Sequence, residues 1–294
     1  MASTGPKPHL LREATEVGCS GLVGGSARNL YTREVFHADV CIKDDGPFYC
    51  AVCKSDAILH KCTEKIDHFA HIARLSPVLG PLETELRRRC KEEICSALIE
   101  RHPDGKWAVE RTIPANFEKN IPELRPDISG RISDHRVAIE VQASSLTPTK
   151  IVKRSLAYAK RQIALLWIVP LHEPLGTEPI RPRLFERYLH SIYYGRTYYW
   201  WSGRKHVLCP AHYGPASRHV EYREWIEDGM QQSGGGYDTE YKIIKTPEPG
   251  PDLSLDIDFE VHRRDEFTPD NERKKVPSCV IWRDRNAPWW SSDA

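Results

Sequence analysis

The sequence predicts an α/β protein of the α+β type, in which a mixed sheet flanked by helices follows a small β-rich module. Three observations carry this. Residues 125–142, RPDISGRISDHRVAIEVQ, read as a hairpin of two short strands. Around that hairpin the order helix, strand, strand, strand, helix, strand runs between about residues 76 and 170, which is the order of a mixed sheet covered by helices. Ahead of it, short strands broken by Asp-Asp-Gly-Pro and Lys-Ser-Asp carry a C-x-x-C at Cys50 and Cys53. A chain of 294 residues that is 40% hydrophobic can bury a sizeable core.

Taken in order, residues 1–34 are polar and lack a sustained period, so a tail with a short strand near its end is expected. Residues 35–75 form the β-rich module. Its thiolate pair, spaced by two residues, suits a tight turn that presents both sulfurs to one metal, and His68 and His71 supply a second pair after a gap of 14 residues. Cys50, Cys53, His68 and His71 are therefore the expected ligands of a structural zinc, with Cys41, His60 and Cys62 near enough in sequence to substitute. A pair of buried free cysteines is the bland alternative.

The segment LETELRRRCKEEICSALIERH is an amphipathic helix whose stripe runs through Leu82, Leu86, Cys90, Ile94, Ala97 and Leu98. Glu83 falls inside that stripe on a helical wheel, so it needs a metal or a partner; Arg87, one turn later, is the obvious partner. KWAVERTIP follows as a strand, then a loop rich in prolines and charges through Pro122. In the hairpin, a turn at Ser133 and Asp134 brings Asp127 roughly opposite Glu140, and period-two alternation aims Glu140 and Gln142 to one side. Two such carboxylates, with the main-chain carbonyl of Val141 as a further oxygen, are the hard donor set of Mg²⁺ or Mn²⁺. The alternative is a solvated hairpin edge.

The next helix takes Thr147 as N-cap and Pro148 at its first position. Along one face run Lys150, Arg154, Tyr158 and Arg161, a set suited to phosphate, with Arg154 and Tyr158 one turn apart and able to orient Gln142. IALLWIVPL reads as a central strand buried on both faces. In residues 171–228, Tyr198, Tyr199, Trp200 and Trp201 suggest a hairpin packed on the core, while interleaved Arg196, Arg204 and Lys205 leave open a stacking platform for unpaired bases. Cys209 and His212 are too isolated for a second metal site. Residues 229–294 read as linker and poorly ordered charged tail.

Composition narrows the setting. There are 42 basic and 41 acidic residues, so nucleic acid would have to be met by local basic faces and not by a global field. Nine cysteines with one C-x-x-C fit a reducing compartment better than a disulfide framework. With no apolar run long enough for a bilayer and no signal-peptide core at the start, a soluble cytoplasmic protein is expected.

FYCAVC, HFAH, a helix with ETELR, RPDI, IEVQAS and RSLAY, in that order between residues 36 and 170, resemble the competence protein CoiA family. The resemblance implies a zinc-finger-like N-terminal module and a restriction-endonuclease-like core of the PD-(D/E)xK superfamily, acting as a metal-dependent nuclease on DNA in uptake, recombination or processing. Asp127 and Glu140 would hold Mg²⁺ or Mn²⁺ and Glu83 would assist. Gln142 stands where many relatives carry a lysine. A glutamine lacks the positive charge that helps to form hydroxide, so either the metal acts alone, Lys153 reaches in from the following helix, or turnover is slow or lost. The last case is a zinc-containing DNA-binding accessory protein that works with recombination proteins. A third reading is a scaffold docking such a partner through the zinc module and the aromatic hairpin.

Overall fold

The computed structural model describes residues 23–51, 56–63, 67–71, 84–117, 120–143, 146–220, 222–227, 229–269 and 275–290. The chain divides into two compact units, Met1–Arg74 with Pro215–Ile244, and Leu75–Gly214 with Lys245–Ala294.

The first unit opens with β1 (Val23–Gly24), β2 (Ser26–Asn29), β3 (Val35–His37), β4 (Phe48–Tyr49), β5 (Asp56–His60) and β6 (His68–His71), paired in the order β1-β6-β5-β4-β2-β3. Two strands thus lie within the region expected to be a tail. Along β5, Ala57 and Leu59 are buried and Ile58 is exposed, the alternation of a sheet with one dry face. That face is small: Ala27, Ala38, Cys41 and Phe69 gather around Phe48, whose ring meets Phe69 edge-on at 4.9 Å.

In the second unit, α1 (Thr84–Arg101) buries Leu86, Cys90, Ile94 and Leu98 at a spacing of four, as the stripe predicts. β7 (Ala108–Val109), β8 (Ile128–Ile132) and β9 (His135–Val141) follow, then α2 (Pro148–Ala159), with Thr147 as N-cap, and β10 (Ile163–Leu171). All nine residues of β10 are buried. It runs parallel to β9 along one edge; its other edge is shared by β11 (Thr197–Trp201), which follows α3 (Leu184–Ile192), and by a late strand described below. β12 (Val207–Val220) returns antiparallel to β11. The main order is β12-β11-β10-β9-β8-β7, so the expected mixed sheet with few helices is what forms. Tyr198, Tyr199 and Trp200 are fully buried, which makes them core and removes them as a platform for bases.

β13 (Arg223–Glu227) falls in the aromatic-rich segment, and residues 229–294, expected to be linker and tail, hold β14 (Met230–Gly234), β15 (Tyr237–Pro249), β16 (Leu253–Ser254), β17 (Phe259–Arg264) and β18 (Cys279–Asp284). β18 pairs parallel with β10 at Leu165 and antiparallel with β17. Charge misled the sequence reading here, because the charges are matched in space. Arg283 lies 3.1 Å from Glu260, its cross-strand partner. Asp284, fully buried, accepts from Arg196 at 2.5 Å and from the Tyr198 hydroxyl at 2.6 Å. Asp284→Ala leaves Arg196 buried without a carboxylate and is expected to cost about 3–5 kcal/mol in urea unfolding, whereas Glu266→Ala, which opens an exposed pair with Lys275, should cost less than about 1 kcal/mol. Equal losses would show that the buried pair does not anchor β18.

Candidate active site

The site is built by two ladders that share one strand. Ile128 pairs with Ile139 and Ser129 with Ala138, so one further step sets Asp127 opposite Glu140. On the other side, Ala108 pairs with Ser129, Ile113 with Leu124 and Asn116 with Ile121, one continuous register through what the sequence suggested was loop. The Glu110 N–H donates to the Asp127 carbonyl at 3.0 Å within it. With its main chain taken from that side, Asp127 turns its carboxylate back across the hairpin, and Oδ2 accepts the Val141 N–H at 2.9 Å. Continuing the register puts Pro126 opposite Val141. Proline has no N–H, so the Val141 carbonyl receives no donor from the residue facing it.

Both carboxylates are deeply buried, Asp127 at 5% exposure and Glu140 at 1%. Each is met by one helix. From α1, Arg87 Nη2 donates to Asp127 Oδ1 and Oδ2 at 2.7 and 2.9 Å, and Lys91 Nζ stands 3.7 Å from Oδ1. From α2, Arg154 Nη1 donates to Glu140 Oε2 at 2.8 Å and the Tyr158 hydroxyl to Oε1 at 2.5 Å. Burial pushes the Glu140 carboxyl up to about 7, against the pull of Arg154 and with the help of the Asp127 charge. Burial, followed by the charge of Glu140, pushes the Tyr158 hydroxyl well above its ordinary value, so it remains a donor. Burial works against the Arg87 cation, but its bond to Asp127 outweighs that and holds it charged.

Asp127, Glu140 and the Val141 main chain therefore come together, with buried Gln142 next along β9, its N–H donating to the Ile168 carbonyl at 2.8 Å. Glu83 lies outside the described residues. Arg87, expected as its partner, is bound to Asp127. Lys150 and Lys153 are exposed on α2 and make no ion pair with either carboxylate among the described residues. Tyr158 corrects the expectation of a residue facing nucleic acid: it is fully buried because the turn that aims Arg154 at Glu140 aims Tyr158 there too. Arg154 itself keeps 39% of its side chain exposed. Sequence reasoning missed the roles of Arg87 and Lys91; the available signal was their spacing of four residues along the border of the apolar stripe of α1.

In the first unit, Cys50 follows β4 and His68 opens β6, while Cys53 lies outside the described residues and nothing is described of the His71 side chain. The substitutes named from sequence gather at His68: Cys62 Sγ is 3.9 Å from its Nδ1, and the His60 ring, across the strand pair, stacks on it at 5.2 Å. Cys41 packs in the core. Among the described residues no three His, Cys, Asp or Glu side chains form a cluster able to hold a metal, and no helix is long and apolar enough to cross a membrane.

Comparison with known proteins agrees with the motifs. Residues 32–76 match the family model described as competence protein CoiA, N-terminal domain, and residues 101–192 match competence protein CoiA, nuclease-like domain. Among curated proteins, competence protein CoiA of Bacillus subtilis (strain 168) is 27% identical over 129 residues, which is 42% of this chain and 31% of that protein. The match thus spans less than a third of that relative's length. No solved structure matches the chain. The likeness to the CoiA family accordingly holds for both of its parts, in the same order.

The burial of Glu140 sets a pH dependence whose sign is fixed. Between the ordinary carboxyl value near 4.5 and the folded value of about 7, the unfolded chain releases a proton that the folded chain keeps. The contribution of Glu140 to stability is therefore fully present below the lower value and is lost as pH rises through the higher one. Urea unfolding at about pH 5 and about pH 8 should show a larger loss for the natural chain than for Glu140→Gln; a larger loss in the variant would mean that Glu140 is ionised throughout.

Proposed function

We propose that this chain is a divalent-cation-dependent nuclease acting on DNA in uptake, recombination or processing. One observation supports it most: two carboxylates are buried opposite each other on a hairpin, beside a carbonyl that lacks its ladder donor. Asp127, Glu140 and the Val141 carbonyl make an all-oxygen set that fits Mg²⁺ or Mn²⁺. When bound, such a cation lowers the pKa of a water and offsets the charge growing on the scissile phosphate. The remaining work belongs to side chains. Arg87 and Arg154 balance the carboxylates in the protein alone and are placed to take phosphate oxygens in bidentate fashion once that balance is supplied otherwise. Tyr158 donates to Glu140 and keeps it aimed. Gln142 orients a bound water by hydrogen bonding and carries no charge. Glu83 would add a carboxylate, and Lys153 a cation only if its side chain turned in from solvent. Lys150 would meet the backbone of the strand.

In the first unit we propose a structural zinc held by Cys50, Cys53, His68 and His71. Of the donors, Cys62 and His60, which could substitute in that set, collect around His68 and support a metal of that class. The reducing compartment that this site needs is the cytoplasm.

A second reading is favoured by the same carboxylates. Both already have guanidinium partners, and Gln142 replaces the lysine, as expected of a DNA-binding accessory protein of the recombination machinery without turnover.

Incubation of the purified chain with single- and double-stranded DNA, with and without Mg²⁺ or Mn²⁺, separates the two. The nuclease reading expects cleavage that Asp127→Ala and Glu140→Ala each abolish while DNA binding persists. Binding that survives EDTA with no cleavage under any condition supports the accessory protein instead. Because Glu140 must lose its proton to hold a cation, Mn²⁺ affinity measured by calorimetry should fall about tenfold per pH unit below 7. Elemental analysis should find one zinc per chain; its absence from freshly purified protein would end the zinc assignment.

A further inference from the structure

At the turn end of the β8–β9 hairpin lies a cleft of about 780 Å³, within the size range of small-molecule sites. It is separate from the carboxylate pair. Its wall begins at Ser129 on β8 and Val137 on β9, two and three positions from Asp127 and Glu140, and neither carboxylate lines it.

The cleft has an unusual charge. Besides Arg101, which is paired with Asp256, the cations Lys106, Arg111, Arg131 and Arg136 line it, with Asp104 as the sole acidic residue in its wall. Among the described residues none of these four cations forms an ion pair. Arg111 donates to the Lys106 carbonyl and Arg136 to the Arg161 carbonyl, bonds that leave their charge unmatched. Arg131 and Arg136 are, moreover, direct cross-strand partners. Like charges directly opposite in a ladder repel, and no ion pair among the described residues offsets them.

Two further side chains point to a ligand. Ser129 is 6% exposed and its hydroxyl has no hydrogen-bond partner, although it borders the cleft. His102, also in the wall, has a buried Nε2 without a partner. Buried polar groups are normally satisfied, so an acceptor or donor entering the cleft would complete both. The wall is held firmly, for the Gly105 and Gly130 backbones press against Trp107, where an added Cβ would come within 2.5 Å and 2.3 Å of the ring. Val137 and Ile163 add an apolar portion.

We propose that this cleft binds the phosphate groups of a nucleotide, with Arg131 and Arg136 clamping one phosphate between them and Ser129 donating to it. Guanidinium pairs suit phosphate oxygens, and the apolar portion suits a base or sugar face. The nucleotide is either free or one unit of a strand, and the chemistry of recognition is the same. The inference does not rest on the nuclease reading, since no residue of the carboxylate pair enters it.

Calorimetric titration of the full chain in EDTA, which removes any contribution of a divalent cation, tests it with ATP, with pyrophosphate and with single-stranded oligonucleotides that do or do not carry a terminal phosphate. At least one of these should bind. Arg131→Glu and Arg136→Glu should each weaken that binding by about tenfold or more, whereas Glu266→Ala, which opens only an exposed pair with Lys275, should leave it unchanged. Response to ATP identifies a free nucleotide, and response to the oligonucleotides alone identifies a strand. Each reversal also sets a carboxylate opposite an arginine, so the thermal midpoint without ligand should rise or hold; Arg131→Gln serves in place of a reversal that fails to fold. The proposal is overturned if none of the probes binds, or if binding is indifferent to the loss of both arginines.

Discussion

Two carboxylates buried face to face are the constraint on which the second unit depends. A low-dielectric interior penalises two carboxylates held side by side, and their mutual repulsion raises the cost further. The protein answers with a cation from each flanking helix. Arg87 fixes the register of α1 against β8, and Arg154, with Tyr158 one turn on, fixes α2 against β9. Helix placement and charge compensation are one arrangement. Compensation is incomplete at Glu140, whose carboxyl is held near 7, so this residue passes between protonated and ionised forms close to neutrality. A group in that condition stands out from an ordinary structural carboxylate, and the metal-dependent chemistry proposed for the pair starts from it.

The hairpin carries opposite charges at its two ends on a single face. Alternation puts Asp127, Ser129 and Arg131 on one side of β8 and Glu140, Ala138 and Arg136 on the same side of β9. The acidic end is buried and matched, while the basic end is exposed and unmatched. A polyanion would therefore be attracted to the second end more than to the first, an ordering imposed by electrostatics alone.

The late strands matter to the core as much as the motifs do. β10 is buried on both faces, so each edge must be paired along its length or leave main-chain groups unsatisfied. β9 covers one edge; β11 covers only Val169 to Leu171 of the other, and β18 arrives at Leu165 from the far end of the chain. Asp284 holds that arrival in place through Arg196 and Tyr198. Residues that seem too charged to pack are thus part of the same sheet as the candidate site.

What the sequence by itself determined was local. The four-residue stripe of α1, the Thr147–Pro148 start of α2, the unbroken apolar run of β10 and the alternation that pairs Asp127 with Glu140 are periodicities contained in short windows, and a short window suffices to read them. Even the burial of Tyr198 to Trp200 followed from composition. Only the tertiary structure decided which charges neutralise which: Arg87 crosses forty positions to Asp127, and Arg196 crosses eighty-eight to Asp284. Charged runs look alike in sequence whether solvated or matched, because the partner that removes their desolvation cost is brought up by the fold and leaves no mark in the neighbouring residues. That is why β16, β17 and β18 lie in residues that read as linker and tail, and why the carboxylate pair was legible when its guanidinium partner on α1 was not.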